Sequence, residues 1–434
     1  MDNYFKDEKT LARCHIFQML STHARGRHLS FHTPGHKVMP WDITELSFSD
    51  NLSCPRGCIL EAEQDIANIL GAAKSFLLTD GSTSGVLAML YAAKLRGVRT
   101  VAVCEASHKS VFNGCKLLGL TPLIYPKFSK DNIPYEPTMS ALNEHFGEIF
   151  AQADALFFTS PNYYGHVADL QEIRRYCDEN EKLFLVDGAH GGHLHFDKNV
   201  HAGGFADMWV DGVHKSLPAF TQGAVLSART EEYAETLTLA VDSFRTTSPS
   251  YPIMASVEYA VKYPRNTALE MAVRAYATTQ NRVRVHTDWT KFCVLFGESA
   301  YAAEKELESQ GIYPEFCDGN VIVFYLSPAT EMQDFETLCS CLESLFKKYP
   351  YHEKTDVQCV PAPLVFPENG EIEWVEIGAA AGRICGAACG LFPPCTPLFS
   401  IGERVSEDKI QLLLNADNVF GVKDGKIAVW IDEE

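Results

Sequence analysis

The chain has 434 residues, 46% of them hydrophobic, and 56 acidic side chains against 37 lysines and arginines give a net charge of −19. That acidity argues against a nucleic-acid or anionic-membrane surface, and the length calls for a large domain with a smaller one beside it. The start, MDNYFKDEKTLARC, carries acids and no apolar core flanked by basic residues, and no apolar run reaches about 18 residues, so neither a signal peptide nor a spanning helix is expected; 14 scattered cysteines suit the reduced thiols of a cytoplasmic protein.

Residues 1–30 read as a helical arm, and FHTPGHK (31–37) as an extended piece turned by Thr-Pro-Gly. Residues 59–70 have apolar spacing close to about 3.6 and stop at Gly71, which predicts a helix. SFLLTD (75–80) predicts a strand, GSTSG (81–85) a turn, and 86–96 a helix. A strand at 101–104, a helix from near Ser110 and a strand at PLIYP follow. ALFFTSP (155–161) and LFLVD (183–187) predict further strands around a helix at 169–180, and a short apolar strand precedes His214 and Lys215. Strands alternating with helices imply an α/β protein with a mostly parallel, doubly wound sheet and ligand chemistry at the carboxyl ends of its strands. Beyond residue 265 the pattern predicts a long helix (265–307), then GIYPEFCDGNVIVFYLSP, a helix near 332–348, and a tail rich in Pro and Cys. The expected division is an arm at 1–30, a large domain at 31–265 and a smaller C-terminal α/β domain at 266–434.

Lys215 and Asp187 suggest the chemistry. A strand ending in an acid, followed by a second strand ending near a lysine, supplies what a pyridoxal phosphate enzyme needs: an amine for a Schiff base and a carboxylate for the pyridinium nitrogen. Taken singly, Asp187 is equally a helix cap and Lys215 an ordinary surface lysine. GSTSG can hold a phosphate at a positive helix end, although an ordinary capped turn explains it too. His108 follows the next strand at the same sheet edge, where an imidazole can stack on a ring or sit as a satisfied loop histidine. HGGHLH (190–195) invites a metal reading, but an acid, a strand end and glycines around it fit a cofactor loop better. Cys54 with Cys58, and Cys385, Cys389 and Cys395, lack the paired spacing of a zinc site, so no metal is expected.

These segments, in this order, resemble the short forms of the ornithine/lysine/arginine decarboxylase family. The resemblance rests on FHTPGHK, GSTSG, SHKSVFNG (107–114), SPNYYGHVADL (160–170), VDGAHGGH (186–193), HKSLPAFTQ (214–222), TTSPSY (246–251) and GRICGAACGLFPPCTP (382–397). It implies a fold type I large domain of the aspartate aminotransferase kind, pyridoxal 5'-phosphate as cofactor, and a homodimer with sites at the interface. By resemblance Lys215 carries the cofactor, Asp187 meets the ring nitrogen, His108 stacks on the ring and Ala189 lies under its other face. Ser82, Thr83, Ser84 and His214 would surround the phosphate.

Departures from the family pattern bear on the substrate. Gly188, Ala379 and Ala387 stand where relatives commonly carry acids, Gly212 stands for a serine, and Pro-Pro-Gly-Ile-Pro becomes ProProCysThrPro (393–397). The implied activity is decarboxylation of an amino acid, with lysine, ornithine or arginine first, in polyamine metabolism. Two alternatives stay open: an enzyme acting on a less cationic amino acid by decarboxylation or aldol cleavage, and a low-activity cofactor-binding regulatory paralogue. Arg383 is a candidate substrate contact or a structural ion pair. Glu403, or one of Glu371, Glu373 and Glu376, could restore the missing charge.

Overall fold

The computed structural model describes residues 4–26, 28–130, 133–351, 364, 371–391, 397–416 and 418–431. Its main sheet contains β1 (Lys74–Leu78), β2 (Thr100–Cys104) and β3 (Thr121–Tyr125). After a small hairpin of β4 (Phe128–Lys130) and β5 (Ile133–Tyr135), it continues through β6 (Ala155–Thr159), β7 (Leu183–Gly188), β8 (Met208–Asp211) and β9 (Ala224–Ala228). The order is β1-β9-β8-β7-β6-β2-β3, and β9 alone runs against its neighbours. The carboxyl ends of the other strands therefore share one edge.

Helices cover both faces: α1 (Glu8–Leu11), α2 (His15–Ala24), α3 (Cys58–Leu70), α4 (Gly81–Leu95), α5 (Lys109–Leu118), α6 (Met139–Gln152), α7 (Leu170–Glu179), α8 (Val213–Ser216), α9 (Glu231–Phe244) and α10 (Tyr251–Val261). Side-chain alternation sorts each strand between them. Val101 and Val103 pack with α4, α5 and α9, while Ala102 and Cys104 pack with α3, α6, α7 and α10. Burial on both faces is why VAVC and ALFF read as continuous apolar runs rather than alternating ones. Each fully buried Val or Phe contributes roughly 1.5–3 kcal/mol against leaving it exposed.

The N-terminal arm is tied down by charge. Glu258 on α10 accepts from the backbone N–H groups of His15 and Ile16 at 2.7 and 2.9 Å. The Lys262 ammonium bonds both Glu258 and Asp65, at 2.9 and 2.6 Å. His15, Asp65 and Glu258 bring atoms of metal-ligand type within 4.8 Å of one another, and Lys262 already supplies the positive charge there.

The predicted helix over 265–307 is a correction. The chain instead forms α11 (Thr267–Thr279), β10 (Val283–Val285), β11 (Lys291–Leu295) and α12 (Ala300–Ser309). Gln280 takes extended dihedrals at the end of α11, and the β-branched and aromatic residues that follow pair as antiparallel strands, favouring the pleated over the helical state. With β12 (Phe316–Cys317) and β13 (Val321–Tyr325) they make a four-stranded sheet, β10-β11-β13-β12, backed by α13 (Met332–Lys348). The C-terminal part adds β14 (Ile372–Glu376), β15 (Gly390–Leu391), α14 (Glu407–Leu414), β16 (Val419–Phe420), β17 (Val422–Lys423) and β18 (Lys426–Trp430), with its own buried cluster. Among the described residues no helix is long and apolar enough to cross a membrane, and no disulfide joins the cysteines. Cys395 and residues 393–396 of ProProCysThrPro lie outside the described residues.

Candidate active site

A cavity of about 1120 Å³ opens at the carboxyl edge of the main sheet. Adjacent parallel strands put its key groups side by side. Asp187 is in register with Thr159 of β6 and Val210 of β8, and Lys215 follows β8 on the short helix α8. Ser82, Thr83, His108, Asp187, Ala189, His214 and Lys215 all line this cavity. Ser84 does not: it is buried one step back, its hydroxyl donating to the Gly81 carbonyl at 2.8 Å. The GSTSG segment is the first turn of α4 rather than a turn before it, and Gly81, Ser82 and Thr83 of that helix start line the cavity.

The Lys215 amine lies 3.1 Å from Nε2 of His190. Burial, reinforced by Lys215 and Lys291, pushes the His190 pKa well down, so this imidazole is neutral and its Nε2 accepts from the lysine. Tyr163 packs against His190 with ring centroids 4.3 Å apart and fixes its plane. Behind it stands a charged cluster shielded from solvent. Lys291 Nζ sits 3.1 Å from Asp288 Oδ2 and 3.4 Å from the His190 carbonyl, while His193 Nε2 sits 2.9 Å from Asp288 Oδ1. His195 turns elsewhere, its Nδ1 2.7 Å from the Gly192 carbonyl. The three histidines of HGGHLH thus serve three different partners.

His108 caps α5, its Nδ1 accepting from the Ser110 N–H at 3.2 Å, and burial beside Lys215 pushes its pKa down to about 4. His214 anchors to the Gly223 carbonyl through Nδ1 at 3.0 Å. Asp187 is 3% exposed, accepts from the Ala189 N–H at 3.1 Å, and has no ion pair within 4.0 Å among the described residues. Burial raises its pKa, against the opposing pull of Lys215. A buried carboxylate so poorly partnered fits a protonated ring nitrogen, and the nearby amine and helix start fit an aldehyde and a phosphate. The residues present therefore suit pyridoxal phosphate.

Two family departures have a local cause. A Cβ at Gly212 would lie 2.2 Å from the Ala189 carbonyl oxygen, so the backbone here admits only glycine. A Cβ at Gly188 would lie 3.0 Å from Asp211 Oδ1, a buried carboxylate that already accepts from Trp209 and His201. Ala379 and Ala387 are not among the cavity-lining residues, and neither are Glu371, Glu373 and Glu376. Arg383 bonds Glu373 at 2.7 Å and the Trp430 carbonyl at 2.9 Å, outside the cavity. Glu403 does line it and pairs with Lys409.

Sequence reasoning overlooked His190 as the partner of Lys215, together with the buried Lys291 and two cavity-lining acids, Glu105 and Glu136. The only signal for His190 was its place three residues after Asp187, and nothing local marked the others.

The Orn/Lys/Arg decarboxylase major-domain model matches residues 37–294. The chain belongs to this decarboxylase family. It is 28% identical to the uncharacterized protein YaaO of Bacillus subtilis, over 96% of this chain and 99% of that one. With the arginine decarboxylase of Bacillus subtilis it shares 25% identity over 92% of each chain. The solved constitutive lysine decarboxylase of E. coli superimposes with a TM-score of 0.70 at 18% identity, covering 96% of this chain and 82% of that one. Serine palmitoyltransferase of Sphingomonas wittichii superimposes at 0.57 and 15% identity, over 80% and 85%. The decarboxylase-family chain thus has the α/β architecture of fold type I pyridoxal phosphate enzymes, with a mostly parallel central sheet.

Proposed function

We propose that this family member is a pyridoxal phosphate-dependent decarboxylase of a basic amino acid: lysine, ornithine or arginine. The observation that carries the proposal is the convergence of an amine, Lys215, and a buried carboxylate, Asp187, on one cavity. Arginine and lysine decarboxylases among the relatives support the reaction class. In this reading Lys215 holds the cofactor covalently through its amine, Asp187 keeps the proton on the ring nitrogen, and His108 and Ala189 flank the ring. Ser82, Thr83 and His214 hold the phosphate at the start of α4, and Ser84, its hydroxyl turned to the Gly81 carbonyl, braces that turn from behind. When bound, pyridoxal phosphate supplies a sink for the electron pair left by the departing carboxylate.

The protein's own groups do the rest. His190, neutral and fixed by Tyr163, orients the Lys215 amine by accepting its hydrogen bond at Nε2, 3.1 Å away. Burial of Asp187 and His190 strengthens their electrostatic contacts by removing them from water. Arg383 stays in its ion pair with Glu373 and takes no part. The exposed apolar side chains of Leu29, Phe31 and Val38 support a homodimer, which would cover them. Unpaired cysteines support a cytoplasmic setting.

The cofactor-loaded protein should be yellow, and borohydride reduction followed by peptide mapping should place the adduct on Lys215. Mass spectrometry should find the amine product from at least one of lysine, ornithine and arginine. An adduct that persists in Lys215→Ala would overturn the assignment.

A further inference from the structure

Among the described residues, seven carboxylates and four lysine or arginine side chains line the cavity. Several of the acids are spoken for. Glu403 pairs with Lys409, and Asp318 accepts from the Tyr164 hydroxyl at 2.8 Å. Glu105 and Glu136 are different. Glu105 is 5% exposed; its Oε1 accepts from the Lys127 N–H at 3.2 Å and has the Lys127 ammonium only at 4.0 Å. Its Oε2 has no hydrogen-bond partner among the described residues. Glu136 accepts a long bond from the Tyr125 hydroxyl at 3.5 Å, has the Cys104 thiol beside it, and has no ion pair among those residues. Burial lifts both carboxyls, Glu136 to about 8 against the pull of Tyr125 and Cys104.

Resting on the decarboxylase reading, we propose that Glu136, together with Glu105, receives the distal cation of the basic substrate. Cys104 ends β2 and Tyr125 ends β3, so the two acids stand over neighbouring strand ends. β6 alone separates β2 from β7, which carries Asp187. Two strand spacings put the β2 end about 10 Å from Asp187. Lys215 and both acids line the same cavity, so a substrate with its α-amino group at Lys215 can extend an ammonium on a flexible four-carbon stem toward them. An uncharged side chain would leave Glu105 Oε2 unpaired in a buried place, which costs free energy that a cation recovers. The acids absent at Gly188, Ala379 and Ala387 are thus replaced from a different part of the fold.

The test compares lysine with norleucine, which has the same stem without the ammonium, by titrating the absorbance of the cofactor-loaded full chain. Wild type should bind lysine at least tenfold more tightly. Glu136→Gln and Glu105→Gln should each lower that preference at least fivefold with norleucine binding unchanged. Independently of cofactor, infrared difference spectra of the apoprotein should show loss of a protonated carboxyl band on adding 1,5-diaminopentane, a change missing in Glu136→Gln and smaller with 1-aminopentane and its single cation. Equal affinities in wild type, an unaltered preference in both variants, or equal weakening of both ligands overturns the assignment. Borohydride labelling of Lys215 in each variant reports folding. Carbon dioxide from none of the basic amino acids, with the carboxyl band still responding to diamine, fells the decarboxylase reading and leaves the cation site standing.

Discussion

Replacing Lys291 with methionine tests whether the buried charges behind the candidate active site hold it together. Lys291 and Asp288 are fully buried, 3.1 Å apart, and the ammonium also touches the Thr290 hydroxyl at 3.0 Å and the His190 carbonyl at 3.4 Å. At an effective dielectric of about 20, such a pair attracts by roughly 5 kcal/mol before desolvation is counted. Removing one partner strands the other, which costs about 3–5 kcal/mol. Unfolding entropy of about 2.1 cal/mol/K per residue gives this chain roughly 0.9 kcal/mol/K, so Tm should fall by about 4 °C. Scanning calorimetry at fixed scan rate measures it. Lys291→Met combined with Asp288→Asn should recover at least half of the loss, because no charge is then stranded. A Tm change under about 1 °C, or strictly additive single losses, would refute the reasoning.

Further outcomes follow from the same geometry. Burial alone would raise the Asp288 carboxyl, but Lys291 and His193 hold it well below the ordinary 3.8, so its stabilisation is present above that pH and lost as pH falls below it. Wild type should therefore lose more Tm than Asp288→Asn between pH 7 and pH 3.5, and equal losses would contradict the assignment. Asp187→Asn should cost no more stability than the roughly 0.5–2 kcal/mol of a lost cap while turnover drops by orders of magnitude. Activity within about tenfold of wild type, only about 1.4 kcal/mol of barrier, would rule out its role at the ring nitrogen. Gly212→Ser, which restores the residue common in relatives, should weaken cofactor retention and lower Tm, because its Cβ meets the Ala189 carbonyl at 2.2 Å; tighter retention in a dialysis assay would refute that.

Much of the arrangement was legible because a parallel sheet forces strand ends together. Once VAVC, ALFF and LFLVD are recognised as strands, His108, Asp187 and Lys215 must share an edge, and the structure puts them around one cavity. Helix 59–70 was legible from its period and from Gly71, which closes it at φ 72°. The stretch 265–307 was not, since its apolar spacing suits a helix until antiparallel pairing of β10 and β11 decides otherwise. Glu105, Glu136 and Lys291 were invisible for a related reason. Glu136 and Lys291 reach the site through contacts between segments far apart in sequence, as when Lys291 meets the carbonyl of His190, and Glu105, although it follows β2 directly, carries no motif of its own. Ser84 and Arg383 show the converse: a suggestive motif position whose side chain is turned to Gly81 or Glu373 instead.

The most direct test of the central claim is carbon dioxide release by the cofactor-loaded protein from lysine, ornithine, arginine and a set of neutral amino acids, run beside Lys215→Ala. The account predicts release from at least one basic amino acid, little from neutral ones, and none from the variant. Silence across the whole panel with cofactor bound at Lys215, or equal release from basic and neutral amino acids, would contradict it.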